Sequence, residues 1–156
     1  MIVHVSIPAD DCAKVARVLA AMMDGQALRF PPGGPDTWNV WSKDGATQLV
    51  MTPRGQYIVP GTHEMAWAER PRERASETHV ALCVERSAAE ITMLAAQAGW
   101  PARICDRGGF FQVIELWVEG AYLVEVLDPQ FTAQYRRSMT VERWQAHFGA
   151  PLDGQA

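Results

Sequence analysis

Val3, Val5 and Ile7 alternate with Ile2, His4 and Ser6, the period-two pattern of a strand over residues 1–7. Pro8-Ala9-Asp10-Asp11 then supplies turn and N-cap residues. The spacing of Val15, Val18, Leu19 and Met22 makes one apolar stripe, so a helix is predicted to about Met23, stopped by Asp24-Gly25. Three short strands are predicted next, at 27–30, 37–41 and 47–52. Gly and Pro punctuation separates the first two, and Lys43-Asp44-Gly45 forms a hairpin turn between the last two. Residues 54–76 carry several Pro and Gly and many charges, and read as a linker with room for an extra hairpin or a lid.

The pattern then restarts. Residues 78–84 read as a strand. Ser87 and Glu90 have the spacing of a capping box, and Ile91, Leu94, Ala95 and Ala98 give the next helix its buried face up to Gly99. Strands are predicted at 102–106, 111–118 and 122–128, with Arg107-Gly108-Gly109 and Glu119-Gly120 as turns. After Pro129 the chain reads as helical to about Phe148, with Phe131, Tyr135, Trp144 and Phe148 available for packing.

The halves overlay almost without gaps. His4-Val5 falls on His79-Val80 and Leu19-Ala20-Ala21 on Leu94-Ala95-Ala96, an offset of 75; Val50-Met51-Thr52-Pro53 falls on Val126-Leu127-Asp128-Pro129, an offset of 76. Each half reads strand–helix–strand–strand–strand. The expected architecture is a single α+β domain of two tandem βαβββ modules, forming curved mixed sheets around a cleft. Module one spans 1–53, the linker 54–76, module two 77–129 and a helical tail 130–156.

Composition narrows the function. With 156 residues, 48% hydrophobic and 21% charged, the chain has the make-up of a globular protein. A formal net charge of −4 argues against nucleic acid as a partner. The nearest basic clusters are Arg70, Arg72 and Arg74, then Arg136 and Arg137, and the first alternates with Glu69 and Glu73, as a solvated loop does. No apolar run is long enough to cross a bilayer, and no secretion-signal pattern opens the sequence. Cys12, Cys83 and Cys105 are odd in number and widely spaced, which excludes a zinc knuckle or thioredoxin-type motif and points to reduced thiols in the cytoplasm.

The paired modules, with His4, His79 and Glu125 in their first and last strands, resemble the vicinal oxygen chelate superfamily. That superfamily includes glyoxalase I, bleomycin resistance proteins, fosfomycin resistance enzymes and extradiol dioxygenases. The resemblance spans roughly residues 2–129 and implies that metal ligands come from the first and last strands of the modules. His4 matches the first ligand, His79 the third and Glu125 the fourth. Alignment of the closing prolines puts Leu49 at the second position, which offers no donor. Gln48 is one residue away, on the opposite face unless a bulge intervenes. Two imidazoles and one carboxylate are the facial set of non-haem Fe(II) oxygenases, leaving positions open for substrate and O₂. The same donors suit Mn(II) or Zn(II).

The implied function is a metal-dependent enzyme on a small molecule that chelates through adjacent oxygens, either a ring-cleaving dioxygenase or an isomerase or lyase. The alternative is a metal-free small-molecule binding or resistance protein of the bleomycin-resistance type. A vestigial site in a dimeric domain is a third. The resemblance also implies a homodimer, with modules paired within a chain or exchanged between chains. Glu115 in its strand and His63 in the linker are candidate acids or bases, although either can equally face solvent. His147 reads as structural. Among the aromatics, Trp38, Trp41, Trp67, Trp117, Phe110, Phe111, Tyr57 and Tyr122 suit an apolar or aromatic ligand where they line the cleft.

Overall fold

A computed structural model of the chain describes residues 4–60, 65–69, 78–140, 142–143 and 146. His63 and His147 lie outside the described residues. The first module runs β1 (His4–Ala9), α1 (Cys12–Met22), β2 (Gln26–Arg29), β3 (Trp38–Trp41) and β4 (Gln48–Pro53), with a 3₁₀ turn at Pro31–Gly33. A hairpin follows, β5 (Gln56–Pro60) against β6 (Met65–Glu69), in the segment with room for one. The second module runs β7 (Val80–Cys83), α2 (Ala88–Ala98), β8 (Ala102–Asp106), β9 (Gln112–Val118) and β10 (Tyr122–Leu127), and α3 (Pro129–Ser138) closes the described fold.

Both modules are wired alike. Strand order is β1-β4-β3-β2 in one sheet and β7-β10-β9-β8 in the other. In each, the first strand lies parallel to the last, and the remaining neighbours are antiparallel. A parallel pair cannot be joined by a tight turn, so a helix-containing crossover is required. Asp11 caps α1 by accepting from the Lys14 N–H (2.9 Å). Ser87 and Glu90 make the reciprocal box on α2, which ends at Gly99 with φ +75°. Asp128 serves two helices at once, accepting from Phe131 N–H (2.8 Å) in α3 and from Ala88 N–H (3.3 Å) in α2.

Pairing register corrects the repeat. His4 lies beside Gln48 in the first module, and Val80 lies beside Val124 in the second. Both pairings span 44 positions, so the offset is 75 at both ends of the module. Glu125 therefore corresponds to Val50, not Leu49. The closing prolines misled because they are not equivalent: Pro53 ends β4 opposite Ala9, whereas Pro129 opens α3 after the Asp128 cap. Gln48 consequently shares its face with His4 and Val50 without any bulge.

One continuous apolar core joins the modules. Val15, Leu19 and Met22 of α1 and Ile91 and Ala95 of α2 pack with Ile7, Val40, Met51, Ile114, Leu116, Val124 and Val126. Burying each large side chain is worth about 1.5–3 kcal/mol. Two related contacts then pin the modules together. After β1, the Asp10 and Asp11 N–H groups donate to the two carboxylate oxygens of Glu119 (2.6 and 2.7 Å) in the β9–β10 turn. After β7, Arg86 donates to the Ala21 carbonyl (2.6 Å) and pairs with Asp24, both at the end of α1. Glu119 and Asp24 both adopt positive φ (53° and 50°), a strain that non-glycine residues rarely take unless tertiary bonds hold them. Arg54 reinforces the first pin. Its side chain is 3% exposed and bonds Asp10 (3.2 Å) and the Pro8 carbonyl (3.3 Å), with Glu119 at 3.8 Å.

Replacing Arg54 by Met removes this cation and leaves two carboxylates facing each other at the module boundary. A loss of about 3 kcal/mol is expected, from the usual cost of breaking a buried ion pair. The urea unfolding midpoint, compared with wild type, measures it.

Candidate functional site

β1 and β7 are edge strands, and a cavity of about 520 Å³ lies where they approach each other. His4, Ser6 and Gln48 line it from the first module, and His79, Ala81 and Tyr122 from the second. Both histidines are exposed. Gln48 stands directly beside His4 because β1 and β4 pair in that register. Tyr122 is 1% exposed, and burial raises its phenol pKa, offset in part by a hydrogen bond with Thr78. The sequence signals a strand from Thr78, but β7 begins at Val80, leaving His79 one residue outside the ladder. It precedes Ala81 by two residues, the parity of the face that carries Glu125.

Glu125 is Cα partner to Ala81 on one side and to Glu115 on the other. Two carboxylates directly opposite on one sheet face repel each other. Two arginines resolve the conflict. Arg107 Nη2 donates to Glu115 Oε1 (2.9 Å) and to Glu125 Oε1. Arg103 donates from Nε to Glu115 Oε2 (2.9 Å), with its Nη2 at 2.7 Å from the same oxygen. Glu115 is thus buried and doubly paired, and Glu125, its side chain 14% exposed, is held by Arg107. The hydrogen bond from Arg103, then that from Arg107, outweigh desolvation and keep the Glu115 carboxyl below its ordinary range. A carboxylate held this firmly as an anion is a poor proton acceptor near neutrality, which weighs against Glu115 as a general base.

Of the residues singled out in the sequence, the fold brings His4 and His79 to one cavity, joined by Gln48. Glu125 is on the neighbouring strand but turned to Arg107. Among the aromatics with described side chains, only Tyr122 lines this cavity. Trp38 packs against the core beneath the Arg29 guanidinium (5.1 Å), and Phe111 stacks edge-on with Tyr135 (4.8 Å between centroids). The arginines were not singled out, because Arg107 reads as a turn residue. A signal existed: counting back from the Gly108-Gly109 turn puts Arg103, Cys105 and Arg107 on one face, with Arg103 opposite Glu115.

The donor set has the right chemistry for a divalent ion: two imidazoles at one cavity and a carboxylate on the adjacent strand. It does not close as it stands. Among the described residues, no three His, Cys, Asp or Glu side chains converge on a point that could hold a metal, and Arg107 already occupies Glu125.

No protein-family model matches the chain, and neither does any curated protein. Solved structures do. The chain is similar to the fosfomycin resistance protein FosX from Mesorhizobium loti at 13% identity and TM-score 0.55, covering 88% of this chain and 98% of that one. It is similar to a mutant FosX from Listeria monocytogenes, complexed with Mn(II) and 1S,2S-dihydroxypropylphosphonic acid, at 11% identity and TM-score 0.56, covering 88% and 96%. An integron cassette protein from the mobile metagenome of the Halifax Harbour sewage outfall matches at 11% identity and TM-score 0.54, covering 82% and 97%. The chain has the fold of the vicinal oxygen chelate superfamily, to which the FosX proteins belong. Identity this low establishes the fold alone.

Because Glu115 has a lowered carboxyl pKa when folded, its contribution to stability is present above the unfolded value of about 4.3 and is lost as pH falls below it. Urea unfolding from about pH 5 down to about pH 3 should therefore weaken wild type more steeply than Glu115→Gln. Parallel slopes would show that the pair does not hold its anion in the folded state.

Proposed function

We propose that the protein is a metal-dependent enzyme of the vicinal oxygen chelate type, acting on a small molecule bound in the cavity between β1 and β7. The observation that carries this reading is the cavity itself, which gathers the corresponding first-strand histidines of both modules, His4 and His79. Support also comes from the parity that His79 shares with Glu125, and from the Mn(II) complex of a structural neighbour. His4, His79 and Glu125 would hold Fe(II), Mn(II) or Zn(II). When bound, such an ion supplies Lewis acidity toward neighbouring substrate oxygens. The chain's own contribution is binding and orientation. Gln48 offers an amide beside His4, the buried ring of Tyr122 and the Val5, Leu49, Val80 and Leu82 walls give the site an apolar lining, and the imidazoles accept or donate at the open side. Ring cleavage of a catechol-type substrate and isomerase or lyase chemistry on a 2-oxoaldehyde adduct both suit this arrangement. A cytoplasmic homodimer is part of the proposal.

The ion pair between Arg107 and Glu125 favours a second reading, a metal-free protein that binds or sequesters a small molecule in the same cavity. It predicts tolerance of His4→Ala.

Protein purified anaerobically without chelator, then dialysed against Fe(II), Mn(II) or Zn(II), separates the two. The enzyme reading expects about one equivalent per chain, the stoichiometry of a single site. His79→Ala and His4→Ala should each lose it. Failure of wild type to take up any of the three ions at millimolar concentration would remove the enzyme reading.

A further inference from the structure

The cavity between β1 and β7 straddles the gap between two sheet edges, so residues from both faces of each strand line it. One set faces the core: Leu49, Leu82 and Tyr122 belong to it, and Val5 and Val80 pack against it. The opposite faces supply the hydrogen-bonding groups, His4, Ser6 and Gln48 from the first module and His79 from the second. The cavity is thus apolar on one side and polar on the other. Its volume of about 520 Å³ lies within the range of small-molecule sites.

Fixed charge is missing from this lining. The sequence has 18 acidic and 14 basic residues, yet no Asp, Glu, Lys or Arg is among the described residues that line the cavity. The ionisable side chains there are His4, His79 and Tyr122, and burial pushes the Tyr122 phenol up, which keeps it protonated near neutrality. Glu125, one strand from Ala81, is paired with Arg107, and neither lines the cavity. An ionised ligand placed here loses water and meets no carboxylate, ammonium or guanidinium in return. An uncharged ligand of the same shape escapes that cost.

We propose that the cavity selects an uncharged amphipathic molecule, its apolar body against the core side and a hydrogen-bonding edge toward His4, Gln48 and His79. This rests on the cavity being the ligand site, as in both readings above, and it needs no metal. A carboxamide suits the polar edge, because imidazoles and the Gln48 amide offer donors and acceptors together.

The probes are naphthamide, naphthoate and naphthamidinium, which share one apolar body and differ in charge at one end. Each is titrated by calorimetry and saturation-transfer NMR in mildly alkaline buffer containing EDTA, so that no bound ion answers for the lining. Naphthamide should bind roughly tenfold more tightly than either ion. Ser6 is exposed and lines the cavity, so its replacement adds a charge there without entering the core. Ser6→Lys should bring naphthoate level with naphthamide or beyond it, and Ser6→Asp should do the same for naphthamidinium. Far-UV circular dichroism and thermal melting check that each variant is folded.

Either ion binding wild type as tightly as naphthamide would overturn the inference. So would a preference that neither Ser6 variant moves, since the probe would then sit elsewhere. Absence of naphthamide binding up to its solubility limit would overturn it as well. Metal uptake is read apart from this: its failure removes the enzyme reading and leaves the charge preference standing, whereas loss of the preference leaves metal uptake untouched.

Discussion

Each module closes by laying its first strand parallel to its last, and the placement of every candidate group follows from that pairing. Because, among the described residues, β1 pairs only with β4 and β7 only with β10, each first strand is a sheet edge. The two edges face one cavity, with a histidine near the start of each. The same pairing sets Ala81 against Glu125 and His4 against Gln48, so last-strand side chains stand next to first-strand ones at a fixed register. An antiparallel closure would reverse that order and separate the groups. The parallel one requires a crossover, and α1 and α2 supply it while also providing the apolar faces that fuse the modules into one core.

The cavity depends on how the modules are held apart as much as on how they are joined. The pins lie at related places, after β1 and after β7, but use different chemistry. Glu119 accepts from backbone N–H groups at one, and Arg86 donates to a carbonyl and a carboxylate at the other. One therefore serves the N-terminal end of α1 and the other its C-terminal end, matching a negative group to exposed donors and a positive group to exposed acceptors. With α1 clamped at both ends, the spacing between the sheet edges is set by rigid elements. A binding site so supported keeps its geometry without a loop having to order around the ligand.

The two sheet faces on this side differ sharply in charge. Module one presents neutral groups along its last strand, Gln48 and Val50, with Asn39 beside them on β3. The buried Asn39 Oδ1 has no hydrogen-bond partner among the described residues. Module two presents Glu115 and Glu125 with Arg103 and Arg107. A duplicated fold has thus kept its histidines in register while its carboxylate chemistry is confined to one half.

Much of this was legible in the sequence, because strand alternation, the helical stripe, the capping box at Ser87 and Glu90 and the glycine stops are local rules obeyed within a few residues. The repeat was legible for the same reason, and it placed His4 and His79 at matching positions. Its far end was misread by one residue. Pro53 and Pro129 look alike in sequence, but one finishes a strand and the other starts a helix, and only the pairing of Ala9 with Pro53 reveals it. The partner of Glu125 was not legible either. Its neighbours in sequence are apolar, and the carboxylate is answered by an arginine 18 residues earlier, delivered by the β8–β9 hairpin. The sequence by itself determined the elements, the duplication and the supply of donors. The tertiary structure decided which charge each donor meets, because an ion pair forms between groups that sheet closure brings together and no local periodicity records that choice.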